Sequence, residues 1–213
     1  MITNFCLLAV TGGSASGKTR LAQAVAGHFA AQACYVIPED DYYVDAGNMP
    51  GFDPAVFNFD EPAAKQHDLL AAHLDALRDG RSIETPQYDF ATHCRCHHTI
   101  RRSPARVMIV EGLHLLTNPA LAAVFDLTVF VDASDEIRFK RRLARDVAER
   151  GRTPESVYHQ FETLVRPMHD AHVEPQKARA QLVIENMGQP DFVALAQPVI
   201  SQIEARLQVA QSA

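Results

Sequence analysis

The sequence is short of the features that would place it outside a reducing aqueous compartment. It has four cysteines in 213 residues (Cys6, Cys34, Cys94 and Cys96) and no export signal, so they read as reduced thiols and not as a disulfide framework. No apolar run approaches the length that crosses a bilayer. The opening segment, Met1 to Val10, has no cationic leader and breaks at Gly12-Gly13, which suits a strand better than a signal peptide. The expected setting is cytoplasmic, with no membrane partner. Positive charge is also lacking: the formal net charge is −6, so nothing global attracts a polyanion and nucleic acid is not an expected partner. No internal repeat, low-complexity tract or interdomain linker is visible.

An ordinary soluble composition remains, 47% hydrophobic and 22% charged, able to bury a full core. The length suits one α/β domain with a lid or small insertion, and by itself also allows two small domains. Apolar runs at residues 5–10, 33–37, 106–110, 127–131 and 182–184 read as buried strands. Between them the spacing predicts helices over 18–31, from Pro62 through Arg78, from a Ser134 cap to Glu149 with Gly151 as the stop, from Pro154 onward, and over 192–207. Residues 82–102 alternate around a turn-like middle and predict a hairpin. Strands alternating with helices imply a doubly wound parallel sheet.

The strongest chemical signal is Gly12-Gly13-Ser14-Ala15-Ser16-Gly17-Lys18-Thr19, a complete G-x-x-x-x-G-K-[ST] between a strand and a helix. Small residues let backbone N–H groups turn in around phosphates; Lys18 reaches the β- and γ-phosphates and the Thr19 hydroxyl ligates Mg²⁺. Glu111 follows the run Val107-Met108-Ile109-Val110 and is the candidate second metal-side carboxylate. Asp40 and Asp41 follow the second strand, and either could accept a proton from an acceptor hydroxyl. Seven of the twenty Lys/Arg residues fall between Arg138 and Arg152. Arg138, Arg142, Arg145 and Arg152 lie near one helical stripe, suited to closing over phosphate or to an ordinary solvated face. The segment His93-Cys94-Arg95-Cys96-His97-His98 has closely spaced ligand types but no second pair, so zinc is not expected.

Taken in order, these and several shorter motifs resemble the uridine kinase (uridine–cytidine kinase) family of P-loop kinases over residues 5–185. The shorter motifs are Glu39-Asp40-Asp41-Tyr42-Tyr43, Asn58-Phe59-Asp60-Glu61-Pro62, Pro86-Gln87-Tyr88-Asp89-Phe90 with His93 and Arg95, Glu111-Gly112-Leu113, Phe130-Val131-Asp132, Arg141-Arg142 through Arg145-Asp146 to Glu149-Arg150-Gly151-Arg152, Gln160, and Val165-Arg166-Pro167. The resemblance implies one P-loop kinase domain over 1–213, with a substrate hairpin at about 81–103 and an arginine-rich lid at about 134–153. It implies transfer of the γ-phosphate of ATP or GTP, with Mg²⁺, to the 5′-hydroxyl of uridine or cytidine, and the family includes homotetramers. By the same resemblance Asp40 is the catalytic aspartate and Asp60 holds the ribose hydroxyls. Tyr43 binds substrate, Tyr88 and Phe90 line the base site, and His93 reads pyrimidine position 4. Arg142, Arg152 and Gln160 contact substrate, whereas Arg145 and Arg150 face phosphate.

The pattern has departures. Glu61 stands where the family has a histidine, Glu185-Asn186-Met187-Gly188 replaces a Pro-Arg-Gly segment near the adenine side, and Cys94, Cys96, His97 and His98 are atypical of the hairpin. Related kinases acting on ribulose phosphate or nicotinamide riboside share the P-loop and lid. A nucleotide-dependent switch is the alternative from another class, and retention of both Asp40 and Glu111 argues against it.

Overall fold

The computed structural model describes residues 4–30, 34–54, 56–188 and 191–209. In chain order the strands are β1 (Cys6–Gly12), β2 (Cys34–Pro38), the short β3 (Ile83–Thr85), β4 (Tyr88–Asp89), β5 (Cys94–Arg95) and β6 (Ile100–Arg102), then β7 (Val107–Gly112), β8 (Leu127–Asp132) and β9 (Leu182–Glu185). The helices are α1 (Lys18–His28), α2 (His67–Arg78), α3 (Pro119–Ala122), α4 (Asp135–Arg150), α5 (Pro154–Gln160), α6 (Arg166–Met168) and α7 (Phe192–Val209). Five strands form one parallel sheet in the order β2-β7-β1-β8-β9.

In the central strands β7, β1 and β8 the unbroken apolar runs follow from burial on both faces. The edge strands, also expected to be buried, are less so: β2 is half-buried and β9 partly exposed, because each has a neighbour on one side only. Successive side chains of a strand point to opposite sides. In β1, Cys6, Leu8 and Val10 therefore pack with Leu21 and Val25 of α1 and Ile200 and Ile203 of α7. Leu7 and Ala9 pack on the other side with Leu70, Leu74 and Leu77 of α2. The expected α/β architecture, a P-loop-type parallel sheet with helices on both faces, is the one observed. Among the described residues, no helix is long and apolar enough to cross a membrane.

Several boundaries differ from expectation. Helix α1 closes at His28; its expected end, Ala31, and the expected start of β2, Ala33, lie outside the described residues. Pro62 opens only a 3₁₀ turn, Pro62–Ala64, and the helix begins five residues late, at His67. The reason is a backbone ladder formed between: Val44 N–H donates to Ala64 O (2.9 Å), Gln66 N–H donates to Tyr42 O (2.8 Å), and Lys65 pairs antiparallel with Tyr43. These contacts hold Lys65 extended at φ −114°, ψ 142°, which a helix cannot accommodate.

The hairpin is present as two stacked pieces, β3 with β6 at its base and β4 with β5 at its tip. Helix α4 begins after Ser134, whose Oγ accepts from Ile137 N–H, and stops at Gly151 in the left-handed region. Thr153 caps α5 in the same way. The chain then passes through π-helical turns at Phe161–Val165 and His169–Val173. Pro167 lies between them and has no N–H to return to the preceding turn, which loosens the ladder there.

Leu74 is wholly buried between α2 and the sheet. Leu74→Ala is expected to lower unfolding free energy by about 2–5 kcal/mol in urea titrations, with the m-value unchanged.

Candidate active site

Strand order sets the site. Pro38 pairs with Glu111 across β2 and β7, and Val10 pairs with Glu111 across β1 and β7. The residues after β1, β2 and β7 therefore meet at one edge of the sheet: the P-loop, the Glu39–Tyr42 turn and the Glu111-Gly112 turn. Ligands of open α/β sheets bind at this carboxyl edge.

The P-loop turn depends on left-handed backbone at Ala15 (φ 62°) and Gly17 (φ 99°), and Ser16 N–H donates to Gly13 O (3.0 Å). A Cβ at Gly17 would fall 2.3 Å from Asn186 Nδ2. Asn186 is buried and donates to Ser16 O (2.6 Å); Arg141 donates to the same carbonyl (3.2 Å) and to Asn186 Oδ1 (3.0 Å). The atypical segment near residue 186 thus braces the phosphate-binding loop from outside. Beside it lies a cavity of about 870 Å³ lined by Ala15, Gly17, Lys18, Thr19, Arg20, Arg141, Arg145, Gly188 and Phe192. The Arg20 guanidinium sits 4.4 Å over the Phe192 ring. A second cavity, of about 790 Å³, lies between the 62–69 segment and Thr117, Asn118 and His172, and no P-loop residue lines it.

Thr19 Oγ1 donates to Glu111 Oε2 at 3.1 Å, so the two candidate metal ligands converge. Burial raises the Glu111 carboxyl above its ordinary range, assisted by the charges of Asp40 and Glu39 and opposed by Lys18 and the Thr19 hydroxyl. A buried carboxylate left short of positive charge beside a hydroxyl is a chemically apt place for a hard divalent cation.

On the acceptor side, Glu39 is fully buried. Its carboxylate accepts from Leu113 N–H (2.7 Å) and His114 N–H (3.2 Å), and His67 Nε2 lies 2.8 Å away. Burial pushes its pKa up, but the His67 hydrogen bond and the charges of Lys65, His114 and His67 outweigh that and bring it to about 2. Asp40, next in the chain, forms an ion pair with Lys65. Desolvation raises the Asp40 carboxyl, yet Lys65 and Lys18 together hold it below its usual value. Asp41 differs: burial lifts its carboxyl, and its partner is the amide of Gln87 (3.2 Å). Asp60 is tied by its backbone, with His114 Nε2 2.9 Å from its carbonyl.

Tyr43 and Tyr88 are buried against each other, ring centroids 5.1 Å apart, and Tyr43 also meets Phe59 (5.6 Å) and Phe90 (6.4 Å). Phe90 is 54% exposed and forms a rim. The His93 ring stacks on Phe59 at 4.8 Å and approaches Phe52 at 5.5 Å. The sequence motifs mark Tyr43, Tyr88, Phe90 and His93, whereas Phe52 and Phe57 sit in a loop where only the aromatic residues themselves could have signalled a cluster.

The arginine stripe is not an open solvated face. Arg138 is fully buried, donates to Asp135, and lies 5.7 Å from the Phe161 ring. Arg142 is buried and donates to Ser14 Oγ (2.8 Å) and Gln160 Oε1 (2.9 Å). Arg152 also donates to Gln160, and to Ser156 Oγ (3.0 Å). Buried Asp146 gathers Arg145 (2.8 Å), Arg142 (3.4 Å) and Arg150 (3.5 Å). Among the described residues, no group of three or more His, Cys, Asp or Glu side chains is placed to hold a metal ion, and the Cys94 thiol donates to Thr92 O (3.4 Å).

A phosphate loop at a parallel sheet's carboxyl edge, faced by carboxylates and flanked by an arginine helix, defines a P-loop phosphotransferase. The family described as "Phosphoribulokinase / Uridine kinase family" matches residues 7–194, and the chain belongs to it. Uridine kinase of Chloroflexus aggregans is 43% identical over 205 residues, covering 96% of this chain and 97% of that protein. Uridine kinase of Listeria monocytogenes is 41% identical over 183 residues, covering 86% and 88%. Among solved structures, phosphoribulokinase from Rhodobacter spheroides superposes with a TM-score of 0.62 at 15% identity, covering 91% of this chain and 74% of that one; it shares the fold.

Gly112 tests how the two turns fit. A Cβ there would fall 2.3 Å from the Glu39 side chain, which its backbone partners hold in place. Gly112→Ala is expected to cost roughly 1–3 kcal/mol in chemical denaturation and to depress activity further. Gly27→Ala in α1, where nothing lies within 4 Å, should leave stability equal or slightly higher.

Proposed function

We propose that the chain is a uridine–cytidine kinase, transferring the γ-phosphate of ATP or GTP to the nucleoside 5′-hydroxyl to give UMP or CMP in cytoplasmic pyrimidine salvage. The observation that carries this reading is the aromatic cluster of Tyr43, Tyr88, Phe59 and Phe90, joined to Asp40 through the Lys65 amine that lies over the Tyr43 ring. A flat base suits such walls, and a phosphorylated sugar does not. The uridine kinases at 41–43% identity point the same way.

In this reading the P-loop backbone from Gly12 to Thr19 cradles the triphosphate, and Lys18 offsets charge on the β- and γ-phosphates. Thr19 and Glu111 are the residues that would hold Mg²⁺, which would offset negative charge on the phosphates. Arg145 and Arg150 face phosphate from the lid, and Arg142, Arg152 and Gln160 orient the reacting ends. Asp60 accepts the ribose hydroxyls and His93 hydrogen-bonds the base at position 4, donating or accepting by tautomer. Asp40 orients the 5′-hydroxyl and accepts its proton as the new O–P bond forms and the bond to the β-phosphate oxygen breaks. Its depressed pKa keeps it ionised, and so ready to accept, at neutral pH.

The test is a panel of ATP-dependent assays on uridine, cytidine, 2′-deoxyuridine, nicotinamide riboside and ribulose 5-phosphate. Uridine and cytidine should give the highest kcat/KM, and 2′-deoxyuridine a much lower one because Asp60 loses a partner. A higher kcat/KM for ribulose 5-phosphate or nicotinamide riboside refutes the pyrimidine assignment. Within the same panel, Asp40→Asn should lower kcat by about 10²–10⁴-fold with little change in KM for uridine. Asp41→Asn should be much milder.

A further inference from the structure

Lys65 is marked by no motif, yet its side chain is wholly enclosed. Residues 62–69 wrap the acceptor side of the cleft, and the pairing of Lys65 with Tyr43 fixes the backbone from which the amine projects. The ammonium has two partners. It donates to Asp40 Oδ1, and it lies 3.2 Å from the centroid of the Tyr43 ring. Tyr43 is in turn held by its hydroxyl, which donates to Phe59 O (3.2 Å), and by contact with Tyr88.

An enclosed ammonium is costly unless paired, and here the carboxylate and the ring face supply the compensation. The Asp40 side chain is itself 46% exposed. Lys65 therefore grips Asp40 from the protein side while the carboxylate keeps a face to the cleft. One amine joins the carboxylate that meets the acceptor hydroxyl to the aromatic wall that meets the base.

We propose that Lys65 is a positioning residue of phosphoryl transfer: by engaging Asp40 Oδ1 against the Tyr43 ring, it fixes the carboxylate so that Oδ2 is presented to the acceptor 5′-hydroxyl. This rests on the reading of Asp40 given above. With its amine engaged by Asp40 and the Tyr43 ring, Lys65 acts through Asp40. An aspartate held by a buried cation is restricted in its rotamers, and one released from it is not. Misplacement on that scale lowers the rate of the chemical step without removing binding energy.

The experiment is a double-substitution cycle on kcat for uridine at saturating ATP, with Lys65→Met, Lys65→Arg, Asp40→Asn and the pair Lys65→Met/Asp40→Asn. Lys65→Met is expected to lower kcat by about a hundredfold with KM for uridine changed by less than about threefold. In the Asp40→Asn background the same substitution should lower kcat no further, because the group it positions is already disabled. Lys65→Arg should retain more activity than Lys65→Met, since a cation is still offered to Oδ1. If Lys65→Met proves unfolded by its melting profile, Lys65→Gln takes its place in the cycle.

Multiplicative losses in the double variant, or an unchanged kcat in the single one, overturn the proposal. So does a loss confined to KM. An Asp40→Asn enzyme with wild-type kcat is a different result: it removes the reading of Asp40 first, and the Lys65 proposal with it.

Discussion

The site depends on one buried carboxylate, that of Glu39. Strands β2 and β7 end side by side, and each is followed by a turn whose backbone N–H groups have no partner within the sheet. Glu39 reaches across from the first turn and accepts from Leu113 and His114 in the second. A buried anion with two backbone donors and a histidine is well satisfied, so it locks the two turns together instead of weakening them. Asp40 and Glu111 sit on either side of this clasp and inherit their separation from it. His114, whose backbone serves Glu39, uses its ring on the Asp60 carbonyl, so the Asp60 loop is fixed by the same clasp. Because the Glu39 pKa falls from 4.5 to about 2 on folding, this stabilisation is full above 4.5 and is lost as pH falls toward 2.

The lid obeys a similar rule with the signs reversed. Arg142, Arg145 and Arg150 repel one another, and the buried Asp146 offsets that repulsion from the centre of the group. Ser14 of the P-loop accepts from Arg142, which joins the lid to the phosphate loop directly. Like-charged side chains can therefore stand together around one buried carboxylate. Gln160 does the corresponding work farther along, accepting from both Arg142 and Arg152 with a single oxygen.

What was legible in the sequence was local. The P-loop, the five strands of the sheet, the Ser134 cap and the Gly151 stop each announce themselves within a few residues and lie where the spacing puts them, but the edge strands β2 and β9 are less buried than their apolar runs suggest. Roles that depend on distant partners were not legible. Lys65 followed Pro62 in what reads as a helical stretch, where a lysine is an ordinary solvated residue; the ladder to Tyr42 and Val44 unwinds that stretch and turns the amine inward. Asp146 looks like one more member of a charged helix, and only the packing of α4 against α5 shows that it is buried. Asn186 departs from the family pattern, and its brace on the P-loop emerges only when β9 is laid beside β8.

The charges of the cleft account for what is still unmatched. Three carboxylates, Glu39, Asp40 and Glu111, stand at the sheet edge among two ammonium groups, Lys18 and Lys65. Glu39 is satisfied by backbone and His67, and Asp40 by Lys65. Both are held ionised, with pKa values below their ordinary ones. Glu111 differs: burial and its two acidic neighbours raise its pKa, and Lys18 with the Thr19 hydroxyl does not fully offset them. Of the three, Glu111 is the carboxylate least compensated by positive charge, and it lies next to the P-loop through Thr19. Lys65 is paired with Asp40, whereas Lys18 lies near enough to Asp40 and Glu111 to lower both, so the two lysines divide the compensation of the sheet-edge carboxylates between them.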